Sequence, residues 1–309
     1  MFALVQKRRL YFTISAALLL AGIVAMIYSA IAFGSPIRLS IDFTGGALLE
    51  VAFDQAISPE ELREVLVTAG LDDISAQTIG GENQVVIRTK EISVSEKEAL
   101  LDELRTAFGP LTELRYESVG PSIGRETTRS AIYALLAASA AILAFIAFAF
   151  RRVPNPLRYG VCAIAKMLHD VLFLLGFASV MGILFGWEID ALVLTAVLTV
   201  IGFSLEDVIV VFDRIRENIP RRRGEDFETI VNRSLLETLH RSLTTQLNAI
   251  FIMTAVIFFG GATTRNFMVM MLAGMVMGTF SSLFFAVPLL VVWEKDEWGS
   301  LFRPLKAAA

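Results

Sequence analysis

A polytopic α-helical membrane protein with one small α+β domain, inserted after its first helix, is the fold class this sequence predicts. Three observations carry the prediction. Uncharged apolar runs recur at Leu10–Ile37, Ser130–Phe150, Val171–Trp187, Ser242–Thr264 and Asn266–Trp293, several longer than the roughly 20 residues that cross about 30 Å of hydrocarbon as a helix. The 309 residues are 55% hydrophobic, with a mean hydropathy of +0.64, far above what a solvated surface requires. One long charged stretch separates the first apolar run from the second.

Taken in order, the runs place six helices at about 10–33, 129–150, 158–184, 190–212, 242–260 and 266–292. Lys7, Arg8 and Arg9 before the first run give it the look of a signal peptide. The run exceeds the ~7–15 apolar residues of a signal-peptide core, however, so an uncleaved first helix is expected. The chain divides accordingly into 1–33 (N-terminus and first helix), 34–128 (the inserted domain), 129–293 (helices two to six, with a loop at 213–241) and 294–309 (tail).

The inserted domain is acidic: between Arg38 and Arg129 there are 9 Lys/Arg against 17 Asp/Glu. ALLEVAF (47–53) reads as a strand. ISPEELREVLVTAG (57–70) has helix grammar, with Ser58 as N-cap, Pro59 at N1, Glu61 at N3 and Gly70 as a stop. ISAQTI (74–79) and QVVIRT (84–89) read as strands around a GGEN turn. SEKEALLDELRTAFG (95–109) reads as a second helix with Ser95 capping and Glu98 at N3, and LTELRYESV (111–119) as a last strand. The order βαββαβ is that of a small ferredoxin-like domain, and about 90 residues can hold an independent core.

Charge orients the chain. Lys7–Arg9, the group Arg151, Arg152 and Arg158, the group Arg214, Arg216 and Arg221–Arg223, and the pair Arg303 and Lys306 all fall on one side if there are six crossings. The positive-inside rule makes that side cytoplasmic, leaving both termini inside and the inserted domain outside. The Arg221–Arg223 run suits anionic lipids at the inner surface better than nucleic acid. The single Cys162 permits no intrachain disulfide and reads as a small buried hydrophobe.

Ionisable groups inside apolar helices are costly and often mark transport or proton paths. Lys166, His169 and Asp170 share one face of the third helix by their spacing and read equally as a satisfied packing network or a functional pairing. Glu206 and Asp207 sit mid-way along the fourth helix and, as neighbours, point about 100° apart. Asp213 belongs to a headgroup-level terminus. On the fifth helix Arg241, Thr245 and Asn248 share a face, and Arg241 is a candidate countercharge for Asp207. A carboxylate in low dielectric keeps its proton, whereas a nearby arginine favours ionisation, so a moving arginine makes a proton-driven switch. Gly274 and Gly278 form a small-xxx-small packing face. Two histidines without a compact ligand set argue against a metal, and no P-loop, HExxH or nucleophile elbow supports enzyme chemistry. No cofactor is expected.

Five ordered motifs, IDFTGG (41–46), SVGPSIG (118–124), the His169–Asp170 pair, GFSLEDVIVVFDRIREN (202–218) and NRSLLETLHRSLTT (232–245), together resemble the SecF type of the SecD/SecF family of bacterial protein-export membrane proteins, within the resistance–nodulation–division superfamily. The resemblance implies a complex with SecD that assists the SecYEG channel, with YajC a further candidate partner, and uses the proton gradient to help preproteins across the membrane. It implies that Asp207 is the functional carboxylate and that Arg241 and Thr245 act with it. Glu206 stands where relatives often carry asparagine. Asp42, Gly45 and Gly46 are the motif turn, with Ser40 in place of the commoner glycine.

Two other readings of the same residues remain open at this stage: a proton-coupled efflux or lipid transporter, and a passive scaffolding subunit in which Asp207 never titrates.

Overall fold

The structure, a computed structural model, describes residues 3–55, 57–68, 75–78, 83–151, 155–222 and 224–301. The expected helix stop at Gly70, most of the GGEN turn, the ends of the 74–79 strand, and Arg152, Arg223, Arg303 and Lys306 lie outside the described residues. Among the described residues six helices are long and apolar enough to cross a membrane: Val5–Phe33, Pro121–Ala149, Pro156–Phe185, Ala191–Arg221, Phe227–Phe259 and Thr264–Glu294. The chain separates into two compact units. One holds residues up to Ile37, Ala134–Trp187 and everything from Leu192; the other holds Arg38–Tyr133 together with Glu188–Ala191.

The α/β unit is built from a short helix α2 (Ile41–Thr44; α1 is the first span, Arg8–Phe33), then β1 (Gly46–Phe53), α3 (Pro59–Thr68), β2 (Ser75–Thr78), β3 (Gln84–Thr89), α4 (Val94–Phe108) and β4 (Leu111–Val119). The four strands form one sheet in the order β2-β3-β1-β4, and every neighbouring pair is antiparallel. Alternation does the sorting in β1: Ala47, Leu49, Val51 and Phe53 face the core, where Leu62 and Leu66 of α3 and Leu100, Leu101 and Leu104 of α4 meet them, as a period-two strand requires. The edge strand β4 carries Glu113, Arg115 and Glu117, charges that discourage further strand pairing. Helix α4 starts two residues earlier than Ser95 predicts. Ser93 caps it, accepting from Glu96 N while the Glu96 carboxylate accepts from Ser93 N at 2.7 Å. Both Ser-x-x-Glu pairs fit a capping box; the earlier one adds about half a turn.

The long helices α5 (Pro121–Ala149), α6 (Pro156–Phe185), α7 (Ala191–Arg221), α8 (Phe227–Phe259) and α9 (Ala262–Ser281) follow in the chain. The last span finishes through a π-helical turn at Ser282–Ala286, α10 (Val287–Glu294) and, beyond it, α11 (Trp298–Leu301). The loop expected at 213–241 is mostly helix, because α7 continues to Arg221 and α8 begins at Phe227. Hydropathy marks only the lengths that match the membrane. The charged continuations stay helical because they pair along and between the helices: Arg214 with Glu217 at 2.9 Å and Glu237 at 2.6 Å, and Arg216 with Asp213. At the N-terminus, Asn232 Oδ1 accepts from Leu4 N and Val5 N, and Arg8 pairs with Glu228 at 3.0 Å. These bonds fasten the start of the chain to α8.

The small-residue face on α9 packs inside its own chain. A Cβ on Gly274 would lie 2.6 Å from a methyl of Val200, and one on Gly278 would lie 2.6 Å from Ser204 Oγ. Only hydrogen at these two positions lets α9 close on α7, the helix that carries the mid-membrane acids.

Candidate functional site

Two polar sites form inside the helical unit. The first is closed. Lys166, wholly buried, donates from Nζ to Asp170 Oδ2 at 2.8 Å and to Ser204 O at 2.7 Å. Ser204 Oγ donates to the same Asp170 oxygen at 2.6 Å, and His169 Nδ1 lies 3.1 Å from Asp170 Oδ1. Ser282, at the start of the π-helical turn, donates to Ser204 O at 2.9 Å, and the His169 ring stacks on Phe285 of that turn with centroids 4.6 Å apart. A buried charge pair survives where its remaining hydrogen-bonding capacity is filled. Here α6, α7 and the last span each contribute. The i,i+4 spacing of Lys166 and Asp170 puts both on the inner face of α6, and the close approach of α9 brings Ser282 within reach.

The second site is a cleft of about 60 Å³ whose lining includes Phe203, Glu206, Asp207, Arg241, Thr245 and Gln246. Asp207 is 6% exposed, while its neighbour Glu206 is exposed: the 100° between consecutive helical residues turns one inward and the other out. The Asp207 carboxylate does not pair with Arg241. Gln246 Nε2 donates to Asp207 Oδ2 at 2.7 Å instead, so the expected direct ion pair is replaced by a neutral donor. The cause is helical phase. Gln246 lies five residues after Arg241 on α8 and is buried, whereas Arg241 and Thr245 stand on the exposed side of the same cleft. Among the described residues the Arg241 guanidinium makes no ion pair, and Thr245 Oγ1 donates to the Arg241 carbonyl at 3.1 Å.

Around these polar groups the surface is apolar. Phe203 is 43% exposed, Leu247 50% and Phe251 70%. A bare guanidinium and a carboxylate beside such residues, at the depth of a span, need water or a protein partner to satisfy them.

The motif turn belongs to the α/β unit. Ser40 caps α2 by accepting from Asp42 N at 3.2 Å, a bond that glycine at this position would lack. Asp42 Oδ2 accepts from Ala191 N at 3.0 Å, placing a carboxylate at the first residue of α7, where it satisfies an orphan amide and suits the helix dipole. Gly45 (φ 74°) and Gly46 (φ 119°) make the turn into β1. A Cβ on Gly45 would meet Pro121 Cα at 2.8 Å and one on Gly46 would meet Thr89 O at 2.6 Å. The stretch Glu188–Ala191 is fastened further by Ser40 N to Ile189 O at 2.9 Å, Ile189 N to Arg38 O at 2.8 Å, and an Arg88–Glu188 ion pair at 2.9 Å. Burial pushes the Glu188 carboxyl above its ordinary range, against the pull of Arg88 and Arg38. Burial likewise lowers the Arg88 guanidinium, with Glu188 opposing.

The structure thus gathers Asp207, Glu206, Arg241 and Thr245 around one cleft, and Lys166, His169 and Asp170 in another network. Asn248 does not line the cleft. Sequence reasoning missed Gln246, Ser204 and Ser282. A glutamine within an apolar span, one turn from Ser242, was the available signal for the first; the serines carry none, because hydroxyls within helices usually bond their own backbone.

Comparison with known proteins covers almost the whole chain. A family model for "Protein export membrane protein SecD/SecF, C-terminal" matches residues 100–296, and one for the "SecD/SecF GG Motif" matches residues 30–57. The protein translocase subunit SecF of Anaerolinea thermophila is 44% identical over 98% of this chain and 97% of its own. That of Thermobaculum terrenum is 44% identical with the same coverage. Among solved structures, SecDF, a translocon-associated membrane protein from Thermus thermophilus, is similar with a TM-score of 0.79 and 31% identity, over 95% of this chain but 39% of the SecDF chain. With one family model covering well over half of its length and full-length relatives at this identity, the chain belongs to the SecD/SecF family of protein export membrane proteins.

Proposed function

We propose that this chain is the SecF-type accessory subunit of a Sec translocase, a multi-pass protein of the inner membrane that helps preproteins cross it. In this reading it works with a SecD-type partner, draws on the proton motive force, and acts beside the SecYEG channel, with YajC a further associate and anionic lipids against its basic ends. Both termini are cytoplasmic and the α/β unit is extracytoplasmic, as the distribution of arginines argues. The strand order β2-β3-β1-β4 with antiparallel pairing and two helices between strands supports a ferredoxin-like description of that unit.

One observation carries the coupling role: Asp207 is buried at the back of a cleft whose rim, Glu206, Arg241 and Thr245, stands exposed on an apolar face. A carboxylate with a single neutral donor is free to gain or lose a proton without dismantling a network. Its occupancy changes the charge that the rim and any partner must balance, and coupling needs only that two conformations differ in that balance. Glu206 adds a second acid at the mouth, and Thr245 holds the backbone carbonyl of Arg241.

The test is preprotein export in cells with intact SecD and full proton gradient. Asp207→Asn is expected to lose the export benefit while still assembling with SecD. Normal export by that variant would sink the coupling role and leave the scaffolding reading. Rescue of drug resistance rather than secretion would instead favour an efflux transporter.

A further inference from the structure

The motifs IDFTGG (41–46) and SVGPSIG (118–124) belong to neither polar site of the helical unit. The structure brings them together, along with the first residue of α7. Phe43 and Gly45 of the turn lie against the start of α5: a Cβ on Gly124 would fall 2.7 Å from Gly45 N and 2.9 Å from Phe43 O. Thr128 Oγ1, one turn further along α5, donates to Phe43 O at 3.3 Å and to Gly124 O at 3.0 Å, one proton shared between two carbonyls. The same turn holds α7 through Asp42 Oδ2, which accepts from Ala191 N at 3.0 Å. One short turn therefore grips two helices far apart in sequence.

The chain passes between the α/β unit and the helical unit four times, and the passages differ in stiffness. After α1, residues 34–37 precede the α/β unit, and after α6, residues 186–187 do. Each of these links opens with a glycine in the left-handed region, Gly34 at φ 77° and Gly186 at φ 69°, where the helix has ended. The other two passages have no link at all. Helix α5 already runs through 121–133 inside the α/β unit, and α7 has its first residue, Ala191, inside it. Just before α7, Ile189 is bridged into the α/β unit by Ser40 N to Ile189 O at 2.9 Å and Ile189 N to Arg38 O at 2.8 Å. Only Asp190 lies between that bridge and the helix, a slack of at most about 3.6 Å. A helix bonded i to i+4 moves as a rod, and Asp207 lies sixteen residues along this one, about 24 Å from Ala191.

We propose that the IDFTGG turn is a transmission clasp: it joins the first turns of α5 and α7 so that a displacement of α7 set at Asp207 reaches the α/β unit. This rests on the reading of Asp207 as the coupling group and names the residue through which that group acts at a distance. Asp42 is a positioning residue. It lines no part of the Asp207 cleft, and it contributes the side-chain bond that closes the clasp on α7. With the cap in place, α7 cannot shift along its axis without carrying residues 188–191 and the turn. With the cap gone, the first amides of α7 are unfastened and the helix start frays. The charge on Asp207 then changes without moving the α/β unit. Coupling needs a difference between two states that is felt at both ends, and the clasp supplies the far end.

The test separates proton movement from export. Proton uptake is followed in proteoliposomes holding the complex with its SecD-type partner, and preprotein export in cells carrying the same variant. Asp42→Ala is expected to keep uptake within about twofold of the parent while the export gained per proton falls about fivefold, the weight of one N-terminal cap. Asp42→Asn keeps an acceptor oxygen and caps as well as aspartate, so it is expected to restore the ratio. Hydrogen exchange at the Ala191 amide should quicken in Asp42→Ala and not in Asp42→Asn. A merely structural role would lower uptake and export together and leave their ratio in place; a parent ratio in Asp42→Ala overturns the proposal. Should Asp42→Ala assemble poorly, Asp42→Ser, whose oxygen stops one bond short of Ala191 N, carries the same expectation. Asp207→Asn is run in parallel. If it keeps both uptake and export, the coupling role falls and the clasp with it. If it loses both while Asp42→Ala keeps the parent ratio, only the clasp falls.

Discussion

Asp170 and Asp207 are both carboxylates buried within one helical bundle, and they are treated in opposite ways. Asp170 receives Lys166, Ser204 and His169, so its charge is matched from three sides. Among the described residues Asp207 receives only Gln246 at hydrogen-bond distance and opens on a cleft with an uncommitted arginine at its rim. A buried ion pair with filled partners resists change, since losing either member leaves the other stranded. A buried acid with one neutral donor costs little to neutralise. The difference teaches that the expense of a charge at membrane depth does not by itself mark the working residue; what marks it is an unfinished set of partners.

The sharpest way to break this contrast is to remove the cation of the closed network. Lys166→Met should destabilise the protein by about 3–5 kcal/mol, read as loss of folded material in thermal unfolding in detergent; a variant as stable as the parent would contradict the reading of that network as closed. Gly278→Val comes next. Its Cβ would fall 2.6 Å from Ser204 Oγ, and such overpacking costs about 1–3 kcal/mol, measured in the same melt. Asp207→Asn should shift stability by no more than about 1 kcal/mol, since an amide keeps the Gln246 bond, yet it abolishes proton-dependent export. A large stability loss there would make the two acids alike after all. The smallest effect is expected in the α/β unit. Hydrogen bonds from Ser93 hold the Glu96 carboxyl below its ordinary range, so its contribution to α4 is present above the carboxylate range and lost as pH falls through the lowered value. Hydrogen exchange of the first α4 amides should quicken on acidification in the full chain, and Glu96→Gln should flatten that response.

Much of this was legible in the sequence because the membrane and the strand impose strong periods. Six apolar lengths marked the spans, and ALLEVAF and QVVIRT read as strands of the inserted domain. Asp207 stood out because a carboxylate interrupts an otherwise apolar helix. Its bonding partner did not stand out. Choosing between Arg241 and Gln246 depends on the rotation of α8 relative to α7, which the approach of α9 over Gly274 and Gly278 helps to fix. The helical continuations to Arg221 and back from Phe227 were hidden for a different reason. Their stability comes from ion pairs between helices, such as Arg214–Glu237, and no window along one segment contains both members. The capping register of α4 was ambiguous because two Ser-x-x-Glu pairs overlap within six residues.

The bond from Ala191 N to Asp42 Oδ2 also has a meaning in time. Residues 188–191 belong to the α/β unit, yet the ribosome makes them after the second and third spans, 149 positions later than Asp42. Synthesis runs at roughly 5–20 residues per second, so the turn at IDFTGG waits on the order of ten seconds for the amide it caps. The sheet has its strands early, but the fastening of Leu39, Ser40 and Asp42 to the start of α7 is completed only when the fourth span begins to emerge. Membrane insertion of the middle of the chain is thereby a step in the maturation of a domain whose own sequence was finished long before.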